Sequence, residues 1–305
     1  AELDGALVSN DFPCFDIDAS TVLPHYFEWY SRTPQFVDLC RRASEGSTNR
    51  VRMKEEKFLK MTVPLPSLEE QRRIVQRLDM VAALVADRRR AIETAERETH
   101  ALLLKAFQRA IDGAPLRPMS EVARLVRRPI EIDLDGTYPE LGVRSFGKGT
   151  FHKPDLSGSE VGNKKLFRIN AGDLLFNIVF AWEGAVAVAQ PADDGRVGSH
   201  RFLSCVPAPD TASVEFLRFY FSTREGLQKL GEASPGGAGR NRTLGLKKLE
   251  DLQVPVPSIE RQHWFDRLQT MAREARAIRT STARDVEALV PAMLHEIFNG
   301  KAAAA

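Results

Sequence analysis

The sequence predicts an α+β protein: mixed α/β globular domains joined by two long helices that form an antiparallel coiled coil. Three observations predict it. "VPLPSLEEQ" at 63–71 returns as "VPVPSIERQ" at 254–262, 191 positions later. Each copy opens a charged segment whose apolar residues are spaced three and four apart, the pattern of a coiled-coil seam. Between these segments, 114–257 carries β-rich runs and a helical stretch.

The repeat is longer than the phrase. "YFEWYSRT" (26–33) matches "FLRFYFST" (216–223), "STNRVRMKEEKFLKMTVPLPS" (47–67) matches "GRNRTLGLKKLEDLQVPVPS" (239–258), and "ALLLKAFQRAIDG" (101–113) matches "ALVPAMLHEIFNG" (288–300). "SNDF" (9–12) faces "SHRF" (199–202). A constant offset marks one unit used twice. The divisions read from it are a partial globular domain at 1–66, a helix at 67–113, a complete globular domain at 114–257, a second helix at 258–300 and a tail at 301–305. The first copy lacks a counterpart of 114–194, so a full first unit would need roughly 80 further residues ahead of it.

Each element has a local reason. The prolines of Val-Pro-x-Pro disfavour helix up to the serine. Ser67 is an N-cap with Glu70 three residues on, a capping box. Ser258 can cap as well, but Arg261 takes the glutamate's place and breaks the box; Glu260 suits the positive end of the helix dipole. The first seam runs through Ile74, Leu78, Val81, Val85, Ile92, Leu103 and Phe107, interrupted by Arg88 and Thr99. The second runs through Leu268, Met271, Ala275, Ile278, Thr282, Val286, Leu289, Met293 and Ile297, with a kink or break at Pro291. Each segment is about 40 residues, or about 60 Å of helix. Asp112-Gly113 and Asn299-Gly300 are matching stops. In the middle domain 174–190 reads as β-rich with a turn at Glu183-Gly184, 201–208 as a strand, and 213–232 as helical. Phe216, Phe219, Tyr220 and Leu227 fall on one side of that helix and read as core rather than as a base-stacking platform. "SPGGAGRNR" (234–242) is a glycine-rich loop ending in basic residues.

Composition excludes several classes. No apolar run reaches the ~18–20 residues of a membrane helix, and no signal-peptide pattern is visible. Cys14, Cys40 and Cys205 form no CxxC pair, which argues against a disulfide framework or structural zinc and for a reducing cytoplasm. The net charge is only +2, yet 218–248 holds seven basic residues against two acidic, and 41–60 holds seven against three. Local basic stretches in a near-neutral chain fit a confined anionic partner such as DNA, or else a solvated basic surface.

A globular domain, Val-Pro-x-Pro-Ser-x-Glu-x-Gln, a long helix, and the same series again resembles the specificity subunit of type I restriction-modification systems. "SGSEVGNKK" (157–165) and "LFRINAGDLLFN" (166–177) resemble the middle of that family's target recognition domains. The resemblance spans essentially the whole chain. It implies a partial first target recognition domain at 1–66 and a complete second at 114–257, each reading half of a bipartite double-stranded DNA target. It implies a helix pair acting as spacer, and docking of methyltransferase subunits and of a restriction and translocase subunit. It implies no catalysis and no cofactor.

Candidate contacts divide by role. Arg240, Asn241 and Arg242, with their repeat counterparts Asn49, Arg50 and Arg52, suit phosphate contacts that position the protein. Equally, each Asn-Arg is a structural turn whose arginine pairs with the domain's own acids. Arg144, Ser145, Lys148, Lys164, Lys165, His200 and Arg201 are candidates for reading base edges, since arginine suits guanine and serine suits either base; each also reads as ordinary surface. An enzyme would need a site. The chain has no Asn/Asp-Pro-Pro-Tyr/Phe methyltransferase motif, no P-loop, no convergent nuclease core, no metal-ligand spacing and no hydrolase triad spacing. A coiled-coil scaffold without DNA function would explain the helices but not the basic loops.

Overall fold

The structure, a computed structural model, describes residues 5–9, 12–46, 51–236 and 242–299. Its principal elements in chain order are α1 (Pro24–Ser31), α2 (Pro34–Ala43), β1 (Ser44–Glu45), β2 (Arg52–Met53), α3 (Leu68–Ile111), β3 (Leu116–Pro118), β4 (Ala123–Val126), β5 (Leu141–Val143), β6 (Thr150–His152), β7 (Leu166–Arg168), β8 (Leu174–Asn177), β9 (Val186–Val188), β10 (Val197–Ser199), β11 (Phe202–Pro207), α4 (Val214–Tyr220), α5 (Arg224–Glu232), β12 (Gln253–Pro255), α6 (Ile259–Glu287) and α7 (Leu289–Asn299). They divide into two compact units. The first comprises 1–97 with 275–305, the second 98–274, so both long helices contribute to both.

In the first unit α3 and the segment α6–α7 run antiparallel. Arg89 pairs with Glu287 at 2.9 Å and Arg276 with Glu96 at 3.2 Å, so a step forward along one helix is a step back along the other. Tyr26, Trp29 and Tyr30 of α1 seal the end of this pair against Ile74, Leu78, Leu294 and Phe298. The second unit repeats the plan. Phe216, Phe219 and Tyr220 of α4 pack with Phe265 at the start of α6 and Phe107 at the end of α3. Aromatic contacts occur at both helix ends: Tyr26 lies 5.6 Å from Phe298, and Phe216 lies 5.1 Å from Phe107. These aromatics are buried, so they are core and offer no platform to a base.

A buried glutamine ties each helix start to its globular part. Gln71 donates from Nε2 to the carbonyls of Thr21 (2.9 Å) and Pro66 (2.8 Å) and accepts from Leu23 N–H (2.8 Å). Gln262 does the same with Thr211, Pro257 and Ser213 N–H, each at 2.9 Å. These are the carbonyls just outside a helix that a buried chain must satisfy. The last letter of the repeated phrase is thus its structural lock. Ser67 Oγ accepts from Glu70 N at 3.3 Å, as a capping serine should. In the second copy the Glu260 carboxyl is held below its usual range by its own backbone N–H and then by the Ser258 hydroxyl.

The second unit is a four-stranded antiparallel sheet in the order β9-β8-β11-β4, with Leu174 opposite both Val188 and Cys205. The period-2 alternation of strands assigns its faces. Leu174, Phe176, Val186, Val188, Leu203 and Cys205 meet the helices, while Leu175, Ala187 and Phe202 meet Leu141 and Val143 of the β5–β6 hairpin. Burial pushes the Cys205 thiol up to about 12, leaving it a packed, unreactive side chain.

Three expectations are refined and a fourth is corrected in part. The stretch 213–232 is two helices, because the Thr223 side chain accepts from Gly226 N and opens α5 as an N-cap. The run 174–190 holds two strands as a β-rich stretch should, with a 3₁₀ turn, Ala181–Glu183, between β8 and β9 and Gly184 making the expected turn at φ 78°. The expected break near Pro291 falls at Glu287, four residues before it, where the proline's missing N–H and ring bulk bear on the carbonyl. Its seam also differs. Met271 is 64% and Ile278 69% exposed, while Ala275, Thr282 and Val286 of the expected seam do turn inward, joined by Ala272 and Arg279. Threes and fours can be laid on neighbouring stripes, and at these two positions the larger apolar residue is the outward one.

Candidate nucleic-acid interface

The β5–β6 hairpin turns through Arg144–Gly149, where four sequence features determine its shape. Phe146 sits at φ 61°, and Gly147 and Gly149 also have positive φ. A non-glycine residue in that region is sterically costly unless its surroundings hold it. Here Phe146 N–H donates to Glu183 O at 2.8 Å, Gly147 N–H to Gly184 O at 3.0 Å, and Ser145 Oγ to Glu183 Oε2 at 3.1 Å. Arg144 donates to Thr150 O and lies 4.5 Å from the centre of the Phe151 ring. The Phe151 ring in turn covers Gly142, where a Cβ would fall 2.2 Å from a ring carbon.

The same 3₁₀ turn receives the end of the glycine-rich loop. The Arg242 guanidinium lies 5.2 Å from the centre of the Trp182 ring, and Trp182 Nε1–H donates to Val179 O. Leu244 N–H donates to Ile178 O at 2.8 Å, fixing the loop's exit. Arg242 therefore stacks on an aromatic face and makes no ion pair with an acid among the described residues, as the turn reading would have required.

Beside this hairpin lies a cleft of about 600 Å³, to which Ser145, Lys164, His200 and Arg201 contribute with Phe180 and Phe202. Lys164 and His200 continue into a neighbouring depression that adds Lys165. Among the described residues Lys165, Lys148 and Arg201 have no ion-pair partner, while Glu160, on the rim of the depression, is held below its usual range first by the Ser157 N–H and hydroxyl and last by the Lys164 charge. Lys153 at the same cleft is paired with Glu140 at 2.8 Å. The structure thus brings Arg144, Ser145, Lys148, Lys164, Lys165, His200, Arg201 and Arg242 to one region of the second unit. Arg52 lies apart, on β2 of the first unit. Asn49, Arg50, Arg240 and Asn241 lie outside the described residues.

Buried polar links brace this region from below. Asp173, 3% exposed, takes both Arg128 guanidinium nitrogens (2.6 and 3.1 Å) and Asn170 N–H, which accounts for the Ile-Asn-Ala-Gly-Asp run. Burial alone would raise the carboxyl of Asp193, but Gln190 N–H, the Thr150 hydroxyl and His152 hold it below its usual range. This ties the base of β6 to the segment before β10. Phe146 and Trp182 did not stand out in the sequence, and Glu183 did so only as part of a turn. Their signal is faint: a phenylalanine before Gly-Lys-Gly, and a tryptophan just ahead of a turn glycine.

No family model matches the sequence, and no curated protein does. Solved structures do match. The HsdS subunit from Thermoanaerobacter tengcongensis aligns at a TM-score of 0.52 and 18% identity, over 94% of this chain and 72% of that one. A chain solved in work on complex assembly and conformational transition of the type I R-M system aligns at 0.63 and 17%, over 93% and 73%. The fold is that of HsdS subunits. In this HsdS fold the described cationic region belongs to the second unit. No helix among the described residues is long and apolar enough to cross a membrane.

Proposed function

We propose that this chain is the DNA sequence-recognition subunit of a type I restriction-modification complex. It binds double-stranded DNA, reads a bipartite target, and docks methyltransferase subunits and a restriction subunit in the cytoplasm, with no catalysis or cofactor of its own. The observation that carries the reading is the set of cations gathered around the cleft of the second unit. Lys164, Lys165, Arg201 and Arg242 supply charge for phosphates, with Ser145, His200 and Arg144 beside them for base edges. The HsdS fold supports the same reading at the level of architecture.

The domain roles follow the repeat: 114–257 and 1–66 belong to target recognition domains, and 67–113 and 258–300 are the helices of the spacer. The test is to co-express the chain with its methyltransferase subunit, titrate duplex DNA at several salt concentrations, and map methylation in the modified DNA. The expected results are affinity falling linearly on a log–log salt plot and methylation at one bipartite sequence. Absent binding, or binding indifferent to salt, defeats the proposal.

A further inference from the structure

We infer that Phe146 is an apolar wedge that enters a base step of the bound duplex, a role resting on the DNA-reading function just proposed. The residue is 73% exposed at the hairpin tip. Its backbone is held in the left-handed region at φ 61°, a strained conformation that the surrounding hydrogen bonds impose. No other non-glycine residue among those described has a positive φ. Strain kept in place by three neighbouring hydrogen bonds is a device for aiming a side chain. Without that conformation the ring could fold back onto the hairpin.

The surroundings fit a nucleic acid rather than a protein groove. Lys148 Nζ lies 5.9 Å from the centre of the Phe146 ring, and Arg144, two residues before Phe146 in the same turn, is held over the Phe151 ring. Ser145 connects the tip to the cationic cleft that holds Lys164, His200 and Arg201. Phosphates on either side of a base step would meet these cations while the ring enters between the bases, the arrangement by which apolar side chains unstack and kink a duplex. Gly147 and Gly149 carry no side chains that would hold the backbone away from the groove.

The experiment uses the full chain with its co-expressed methyltransferase subunit, and as probe a duplex carrying the mapped target with 2-aminopurine placed at one position at a time. With the unaltered chain, one base step gives a fluorescence rise in addition to any from a base flipped by the methyltransferase. Phe146→Ala abolishes the rise at that step alone, leaves the flipped-base signal, and weakens binding about tenfold. Phe146→Trp restores both. Both variants are at an exposed site, and their melting is compared with the unaltered chain. An identical 2-aminopurine profile for F146A, with binding intact, overturns the wedge and leaves the DNA-reading function standing. Loss of methyltransferase docking with an unchanged DNA profile also overturns it, making Phe146 a protein contact. If the unaltered complex binds no DNA, both readings fall.

Discussion

Gln71 and Gln262, 191 positions apart, make the same three hydrogen bonds in their separate units, and both are fully buried. Each closes the loop that leads into α1 or α4 onto the proline-rich approach to a long helix. Replacing either with alanine strands two carbonyls and one N–H in a dry site. The expected cost is about 2–4 kcal/mol, and the melting transition of the affected unit drops by roughly 5–10 °C. Because the two sites share no partner, the double variant should be additive to within about 0.5 kcal/mol. Calorimetry of the two single variants and the double one checks this; a Gln262→Ala protein that melts like the parent contradicts it.

Gly142 has no room for a methyl group, because the Phe151 ring occupies its face. Gly142→Ala should displace that ring, remove the surface on which Arg144 rests, and cost about 1–3 kcal/mol as an overpacked site. Phe151→Ala in the same chain should relieve most of the clash. A double-mutant cycle in urea measures the coupling, and simple additivity would show that the ring and the glycine do not compete.

Asp193 supplies a pH dependence. Its folded pKa lies below the ordinary value of 3.8, so its contribution is fully present above that value and is lost as pH falls through the folded one. Asp193→Asn should cost about 2–3 kcal/mol at neutral pH, with the difference from the parent shrinking below about pH 4. Asp266 runs the other way: burial raises its pKa, so its titration favours the folded state as pH falls. Urea melts of parent and variant from acidic to neutral pH separate the two, since only the Asp193 contribution differs between them.

Lys164, Lys165 and Arg242 should each act as a phosphate contact. Changing any one to alanine is expected to weaken binding across DNA sequences and to reduce the salt slope by about one. Lys247, exposed and paired with Asp251 at 2.9 Å, is the control and should leave the slope unchanged. An Arg242→Ala protein with an unaltered slope would remove that residue from the interface.

Much of this organisation was legible in the chain. The long helices announce themselves because threes and fours persist over many turns and serines stand at their starts. The first seam came through correctly: Ile74, Leu78 and Phe107 are buried. The second came through in part: Ala275, Thr282 and Val286 turn inward beside Ala272 and Arg279, while larger apolar residues, Met271 and Ile278, face water. Hydropathy ranks side chains singly, whereas a helix pair selects those that fit its partner. The buried glutamines were overlooked for a related reason. Glutamine is ordinarily a surface residue, and its three partners lie as far as 50 residues away in sequence. The strand-like Asn-Ile-Val-Phe-Ala-Trp composition hid the 3₁₀ turn that organises the interface. The basic candidates were visible as charges, but their convergence on one cleft depends on hairpin and sheet register, which no local pattern specifies.

Trp182 gives this surface its own optical reporter. The indole lies beneath the Arg242 guanidinium and is anchored through Nε1 to Val179. A phosphate that draws the guanidinium outward changes the field over the ring, so indole emission from the unlabelled protein becomes sensitive to whether that loop is engaged.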